Sequence, residues 1–233
     1  MALIKMFDRY KDLKRIENKY NNKRVFIVGS GPSVNLIDLN VLLENKEMVM
    51  TVNLSHRFFE GKVPFHCVSD IDCFLEYKNE ILSDRFDCIF IRDHVYKALD
   101  NSDKSEKIVS IPTKRGGIIK KGVSKNLYQG LGNDSSVILF GIQILVHMGF
   151  KEIYIIGCDL DYSGSKYGYA MSNQDILHEE KEVTQRKRRK SNVTNEEFKI
   201  LQKALNVKRV KLFNAGVGGN LNSIQRVDFS SLF

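Results

Sequence analysis

The residues with the clearest potential for chemistry stand in one short turn, Gly29-Ser30-Gly31-Pro32-Ser33, directly after the apolar run Val25–Val28. Because glycine has no side chain, the two glycines allow the backbone to take positive φ angles and to approach a ligand closely. Pro32 suits the first turn of a helix, which Ser30 or Ser33 could cap. A buried strand, a tight turn and a helix N-terminus together predict a phosphate-binding site, with a plain βα turn as the alternative.

The turn differs from both common nucleotide-binding motifs. A dinucleotide fingerprint has a third glycine where this chain has Val34, and a P-loop ends in Gly-Lys-Ser or Gly-Lys-Thr, neither of which follows here. The turn therefore predicts a phosphate without identifying the nucleotide that carries it.

Apolar runs recur along the chain and predict strands, with helical patterns between them. The predicted strands are Arg24–Val28, Met48–Val52, Phe65–Val68, Cys88–Ile91, Glu152–Ile156 and Val210–Phe213, with Ile108–Ile111 as a further short strand. The predicted helices are Leu36–Leu43, Cys73–Leu82, Ser135–Met148 and Thr194–Leu205, the last with Thr194 and Glu197 at capping-box spacing. This alternation predicts an α/β, Rossmann-like fold with a mostly parallel, doubly wound sheet.

In such a sheet, ligands bind beyond the carboxyl ends of the strands, near the point where the strand order reverses. The residues that follow the predicted strands are small or polar: Gly29-Ser30-Gly31, Asn53, Asp70, Gly157 with Asp159, and Asn214. Asn53 and Asp70 could bind ribose or base hydroxyls, or could simply start turns. Asp159 could hold a sugar hydroxyl, a metal ion or a loop N–H group. We expect these strand ends to converge on one cleft.

A tyrosine-rich loop and a charged segment predict a small helical or loop lid over about residues 160–192. Tyr162 and Tyr167 could donate hydrogen bonds to a phosphate, or pack the loop onto the sheet. His178 is placed like a mobile general base, because the segment around it is rich in charge and poor in apolar residues. The run Lys187–Lys190 could meet an anionic acceptor, a membrane surface or nucleic acid, or form a solvated face.

The composition is that of a globular protein, with 42% hydrophobic and 27% charged residues in a chain of 233. We expect an N-terminal helix over residues 1–22 and one domain over residues 23–233. No apolar run has the length of a membrane span, and residues 1–20 have no secretory pattern, so we expect a cytoplasmic location, with the inner face of the membrane as an alternative. The net charge of +8 favours anionic partners.

The cysteines and most of the histidines predict structure rather than chemistry. Cys67, Cys73, Cys88 and Cys158 lack metal-ligand spacing, so we expect reduced thiols and no metal site. The histidines that are expected to be structural are His56, His66 and His147.

Three segments resemble a known family. Val25–Asn35, VFIVGSGPSVN, resembles the opening of a bacterial and archaeal group of motility-accessory-factor and 6-hydroxymethylpterin-diphosphokinase-like proteins. Met148–Tyr162, MGFKEIYIIGCDLDY, is similar to the group's second signature, and Phe213–Phe233 is similar to its closing segment. The first two segments also resemble bacterial sialyltransferases, which use CMP-sialic acid on a Rossmann-like domain with a lid and need no metal.

The resemblance implies a donor site around the first turn. Gly29-Ser30-Gly31 would lie against the nucleotide phosphate and sugar, and Asn53 would line the donor site. Ser135 and Ser136 match the residues that start a helix near the donor. Asp70 stands where the sialyltransferases have an asparagine.

The resemblance also implies a site in the lid. Tyr167 matches one of two phosphate-binding tyrosines, and Tyr162 lies one residue past the position of the other. The base histidine of the sialyltransferases aligns near Lys190, where this chain has no histidine.

These inferences favour a glycosyltransferase of bacterial surface-glycan synthesis, acting on capsule, lipo-oligosaccharide or flagellin, with a CMP-linked nonulosonate as the favoured donor and no other cofactor. A general base, His178 or Asp159, would take the proton of a glycan or glycolipid acceptor. We expect no nucleic-acid partner, and a homo-oligomer is left open. One alternative is a pterin diphosphokinase that uses ATP and Mg²⁺ held by Asp70 and Asp159. Another is a nucleotide-binding partner protein without activity.

Overall fold

The computed structural model describes residues 11–132, 134–161 and 181–233. Within these residues eight strands form one sheet: β1 Arg24–Val28, β2 Val49–Val52, β3 Val63–Val68, β4 Phe86–Arg92, β5 Ile108–Ile111, β6 Glu152–Ile156, β7 Lys211–Asn214 and β8 Gln225–Arg226. The strand order is β5-β4-β3-β2-β1-β6-β7-β8, and neighbouring strands pair in parallel. The order reverses between β1 and β6, which makes their ends the switch point of the sheet. The predicted Rossmann-like fold is confirmed.

Helices cover both faces of the sheet. They are α1 Asn40–Glu44, α2 Ile71–Glu76, α3 Lys78–Ile81, α4 Asp93–Lys97, α5 Ile118–Lys121, α6 Val137–His147 and α7 Lys181–Val207, and residues 11–16 are also helical. Short 3₁₀ helices lie at Pro32–Leu36, Asn53–Phe58, Asn101–Asp103, Leu127–Gln129 and Phe229–Leu232.

The central strand β1 is buried on both faces, which explains its uninterrupted apolar sequence. Val25 and Ile27 belong to a core that includes α6, α7 and the N-terminal helical segment. Phe26 and Val28 belong to a second core under α1, α2 and the C-terminal residues. A Cβ atom on Gly141 of α6 would lie 2.7 Å from Cδ1 of Ile27, so glycine allows α6 to lie directly on the sheet. This close packing fixes where the N-terminus of α6 points.

The helix after the glycine turn differs from the prediction. Pro32 does begin a helix, but it is a 3₁₀ helix of five residues, Pro32–Leu36. Its N-cap is Gly31 and no side chain caps it, so the prediction that Ser30 or Ser33 is the cap is wrong. The helix predicted over Leu36–Leu43 is reduced to α1. Such a short helix contributes little dipole at the turn.

The start of the last long helix is also corrected. Thr194 does not cap a helix, because α7 runs unbroken from Lys181 to Val207. The Thr194 hydroxyl donates to the carbonyl oxygen of Lys190, one turn earlier, at 2.8 Å. The predicted lid over about 160–192 falls partly on α7 and partly on residues 162–180, which lie outside the described residues. The predicted helix Cys73–Leu82 is divided at Tyr77 into α2 and α3.

Two further expectations concern the membrane and the thiols. No helix in the described ranges is long and apolar enough to cross a membrane. All four cysteines are free, two of them buried and two half-buried.

Candidate functional site

A cleft of about 400 Å³ opens at the carboxyl edge of the sheet, where β1 and β6 separate. The residues that follow several strands form its floor, and the N-terminus of α6 and the side of α7 complete its walls. The sequence-predicted site residues that line it are Gly29, Ser30, Gly31, Asn53, Asp70, Ser135, Ser136, Gly157 and Asp159. The ends of β1, β2, β3 and β6 therefore meet at one place.

Other predicted site residues lie elsewhere. Pro32 is exposed beside the cleft, and Ser33 is buried beneath the turn; neither lines the cavity. Tyr162, Tyr167 and His178 lie outside the described residues.

Asn214 is the strand end that does not join the cleft, so the expectation that it converges with the others is wrong. Its Oδ1 accepts a hydrogen bond from the N–H of Gly216 at 3.0 Å, and its Nδ2 donates to the carbonyl of Leu221 at 3.2 Å. The side chain is buried and closes the loop after β7.

The glycines of the first turn are needed for contact with the turn after β6. The N–H of Gly31 donates to the carbonyl of Gly157 at 2.8 Å. A Cβ atom on Gly29 would lie 2.5 Å from that carbonyl oxygen, and one on Gly157 would lie 2.4 Å from Cγ2 of Val34. Gly31 has φ −64°, and it is Gly157 that takes the left-handed conformation, with φ +67°. The glycines therefore join two strand ends, and the predicted positive φ falls on Gly157.

Asp159 holds the same junction from the side. Its Oδ2 accepts a hydrogen bond from the N–H of Ser33 at 2.8 Å, and its Oδ1 accepts one from the Ser33 hydroxyl at 2.5 Å. The residue is 9% exposed. Both carboxylate oxygens accept hydrogen bonds from Ser33. Of the roles expected for Asp159, binding a loop N–H group therefore fits the structure better than acting as a general base or as a metal ligand.

Asn53 enters the cleft from β2 in a strained conformation. Its φ is +49°, which is rare for a residue with a side chain. Its carbonyl oxygen accepts a hydrogen bond from Nδ1 of His56 at 3.0 Å, and Nε2 of His56 lies 3.1 Å from Oε2 of Glu80. The Oδ1 atom of Asn53 is buried and has no partner among the described residues. A buried side-chain amide oxygen that accepts no hydrogen bond from the protein is suited to accept one from a ligand N–H or hydroxyl group.

Asp70 combines a structural role with a place in the cleft. Its Oδ1 caps α2 by accepting from the N–H groups of Asp72 and Cys73, at 2.9 and 3.1 Å. Its carboxylate is therefore partly committed to the turn.

The N-terminus of α6 points into the cleft. Ser136 is the N-cap, and its hydroxyl accepts from the N–H of Ile138 at 3.2 Å. The helix has eleven residues, so its N-terminus carries a useful partial positive charge. The helix predicted over Ser135–Met148 therefore begins at Val137, after its cap Ser136.

Ser135 instead ties the cleft wall to α7. Its N–H donates to Oε2 of Glu197 at 2.9 Å, and its hydroxyl hydrogen-bonds to the same oxygen. The hydroxyl oxygens of Ser135 and Thr194 are 2.6 Å apart. Thr194 and Glu197, the predicted capping-box pair, therefore form part of a buried contact between α7 and the residues that precede α6.

Arg92, the last residue of β4, lines the cleft and was not predicted. It is 5% exposed, its guanidinium lies 4.5 Å from the centre of the Phe140 ring, and burial lowers its pKa. The same strand-end rule could have found it, but the predicted strand stopped at Ile91.

Asp134 is a second cleft residue that the site prediction missed. Its Oδ1 accepts from the N–H of Ile118 at 2.9 Å, and its Oδ2 accepts from Nε2 of Gln143 at 3.0 Å. Burial raises the pKa of Asp134 to about 6, and the Glu197 carboxylate adds to the rise, against the lowering effect of the hydrogen bonds and of Arg92.

His94 on α4 and Lys190 on α7 also line the cleft. His94 is exposed, and it supplies an imidazole that the sequence reasoning had placed only in the lid. Among the described residues no group of three or more His, Cys, Asp or Glu side chains is arranged to hold a metal ion. The cleft therefore presents cations, a helix N-terminus and hydrogen-bond donors, while Asp159 and Asp134 use both of their carboxylate oxygens within the protein.

The fold and the cleft define a Rossmann-like α/β protein with its candidate site at the switch point of a parallel sheet. The family model described as "6-hydroxymethylpterin diphosphokinase MptE-like" matches residues 1–165, which is 165 of 233 residues. The chain belongs to this family, as the first two resembling segments, Val25–Asn35 and Met148–Tyr162, had indicated. The third segment, Phe213–Phe233, lies beyond the matched residues. No curated protein matches the sequence.

Proposed function

We propose that this chain is a glycosyltransferase that moves a nonulosonate from a CMP-linked donor to a glycan or glycolipid acceptor of the bacterial surface. The proposal rests mainly on one observation: the cleft offers Arg92, Lys190 and the N-terminus of α6 to a phosphate, and two of its carboxylates are bound to the protein itself. A nucleoside monophosphate that departs with negative charge is stabilised by such donors and cations.

Each residue that lines the cleft has its own proposed role in binding or proton transfer. The N-terminus of α6, with Arg92, would bind the phosphate of the donor. Asn53 would use its buried Oδ1 to accept a hydrogen bond from a hydroxyl or amino group of the nucleotide. His94 would take the proton from the acceptor hydroxyl, since it is the imidazole that lines the cleft within the described part of the chain. His94 thus replaces Asp159 as the proposed general base. The role of His178 as a general base stays a prediction.

A second candidate function follows from the family match. A diphosphokinase that acts on a pterin alcohol would transfer diphosphate from ATP, and Mg²⁺ would have to be held by oxygen ligands. Asp70 is the cleft carboxylate with an oxygen not used in capping α2. One carboxylate with substrate phosphates is the minimum that a magnesium site needs.

One pair of assays separates the two candidates. The protein is incubated with a CMP-linked nonulosonate and lipo-oligosaccharide acceptor in EDTA, and separately with ATP, Mg²⁺ and a 6-hydroxymethylpterin. We expect release of CMP and a modified acceptor in EDTA, and no pterin diphosphate. Formation of pterin diphosphate that requires Mg²⁺ would support the second candidate, and turnover in neither assay would support a binding protein without activity.

The location and partners belong to the same proposal. A transferase of this type would act in the cytoplasm on donor made there, and would meet a glycolipid acceptor at the inner face of the membrane. The net charge of +8 supports contact with an anionic surface.

A further inference from the structure

A second cavity, of about 380 Å³, surrounds the last turn of α6, at the opposite end of that helix from the cleft. Its walls come from the turn after the N-terminal helical segment, the loop before residue 132 and the end of α7. We propose that this cavity binds a small molecule that carries a phosphate group and, at its other end, a hydroxyl or amino donor. The site is separate from the cleft, and no part of the inference depends on the transferase reaction.

Three lysines line the cavity: Lys125, Lys151 and Lys208. Nζ of Lys208 donates to the carbonyl of Lys125 at 3.1 Å, and Nζ of Lys151 lies 3.4 Å from the carbonyl of Lys208, which draws the three residues together. None of them forms an ion pair with a carboxylate within the part of the chain that the structure describes. Burial, and then the charge of Lys151, lower the pKa of Lys208.

The acidic residue of the cavity wall does not neutralise these lysines. Glu17 lines the cavity, but its carboxylate is 2.7 Å from Nζ of Lys14 and also accepts from the hydroxyl of Tyr128 at 3.2 Å. The cavity therefore holds an excess of positive charge. A phosphate, with a charge between −1 and −2, fits three lysines, which bind phosphates as point charges.

The inner end of the cavity offers a hydrogen-bond acceptor. Gln143 is 7% exposed and lines the cavity. Its Nε2 donates to Oδ2 of Asp134 at 3.0 Å and to the carbonyl of Leu139 at 3.2 Å. Because an amide nitrogen has two hydrogens, these bonds use both of them and leave Oε1 as an acceptor for a ligand.

The rest of the cavity wall is mixed, and it sets the size of the ligand. Leu127, Leu131, Val146 and Leu205 supply apolar surface, while Asn18, Ser124, Asn126 and His147 supply polar groups. A volume of about 380 Å³ is within the range of small-molecule sites. The ligand class is therefore a compact phosphate ester with an uncharged body and a polar donor group.

One hydrogen bond connects the lining of this cavity with the lining of the cleft. Gln143 lines the second cavity, and Asp134, its hydrogen-bond partner, lines the cleft. A ligand that binds Oε1 of Gln143 would fix the amide that holds Asp134 in place.

The test uses glycerol 3-phosphate, which carries a phosphate and hydroxyl donors in a small molecule. Its binding to the full chain is measured by calorimetry for the wild type, for a Lys151→Gln/Lys208→Gln variant and for a matched Lys199→Gln/Lys203→Gln variant. The matched variant removes two exposed lysines of α7 that line neither cavity. Circular dichroism confirms that each variant is folded.

We expect saturable binding that becomes at least about tenfold weaker in the first variant and changes by less than about twofold in the second. Glycerol alone should not bind, since it lacks the phosphate. Absence of saturable binding to the wild type, or an equal loss in both variants, would overturn the proposal, because the lysines would then contribute only general charge. Binding of phosphatidic acid vesicles without binding of glycerol 3-phosphate would also overturn it, in favour of a lipid surface.

Discussion

Asp159 and Ser33 are joined by two hydrogen bonds across the junction between β1 and β6, one from the Ser33 N–H at 2.8 Å and one from its hydroxyl at 2.5 Å. This contact makes the loop after β6 a brace for the glycine turn. It also gives both carboxylate oxygens of Asp159 a structural role, which favours bracing of the turn over general-base catalysis.

The first prediction follows from this contact. Ser33→Ala leaves one buried carboxylate oxygen without its donor and should lower the free energy of unfolding by about 1–3 kcal/mol. Urea unfolding measures the loss, with exposed Asp84→Asn as the control for a surface carboxylate. If Asp159→Asn abolished turnover at unchanged stability, Asp159 would be a base and not a brace.

The second prediction concerns Gly157. Gly157→Ala should cost more than the roughly 1–2 kcal/mol of left-handed backbone, because its Cβ would lie 2.4 Å from Cγ2 of Val34. Gly218 serves as the control, since it has φ +71° and no atom within 4 Å of its Cβ position. Thermal unfolding of both variants isolates the steric part. Equal losses for Gly157→Ala and Gly218→Ala would show that the two turns do not pack as described.

The third prediction concerns pH. Burial raises the pKa of Asp134 to about 6, whereas an unfolded aspartate titrates near 3.9. The contribution of Asp134 to stability is therefore full below about pH 4, falls as the pH rises through about 6, and is lost above it, by a total on the order of 3 kcal/mol. Asp134→Asn should flatten this fall in urea unfolding measured from pH 4 to 8. Parallel curves for the wild type and the variant would show that Asp134 does not titrate in this range.

Much of the fold could be predicted because strands such as Val25–Val28 are apolar on both faces, a pattern that local sequence shows directly. Once the strands were predicted, the rule that ligands bind beyond the carboxyl ends of parallel strands placed Asn53 and Gly157 in the cleft. Arg92 was missed because its strand continues one residue further than the apolar run. The Ser135–Glu197 contact depends on how α7 lies against the start of α6, and Asp134 is held by Ile118 of α5 and Gln143 of α6. Local sequence patterns record neither arrangement.

The fourth prediction concerns His94. His94→Gln should lower kcat by about 10²-fold or more with a smaller change in KM, because proton removal from the acceptor would fail. Lys97→Gln, on the same helix but outside the cleft, is the control. Full activity of the His94 variant would return the role of base to His178.

The account depends most directly on nucleotide binding in the cleft, and calorimetry of CMP binding in EDTA tests it. We predict that the wild type binds one CMP without a divalent ion, and that Arg92→Met weakens binding at least about tenfold while Arg15→Met does not. Failure of CMP to bind without Mg²⁺, or equal affinity of the folded Arg92 variant and the wild type, would contradict the assignment of the cleft.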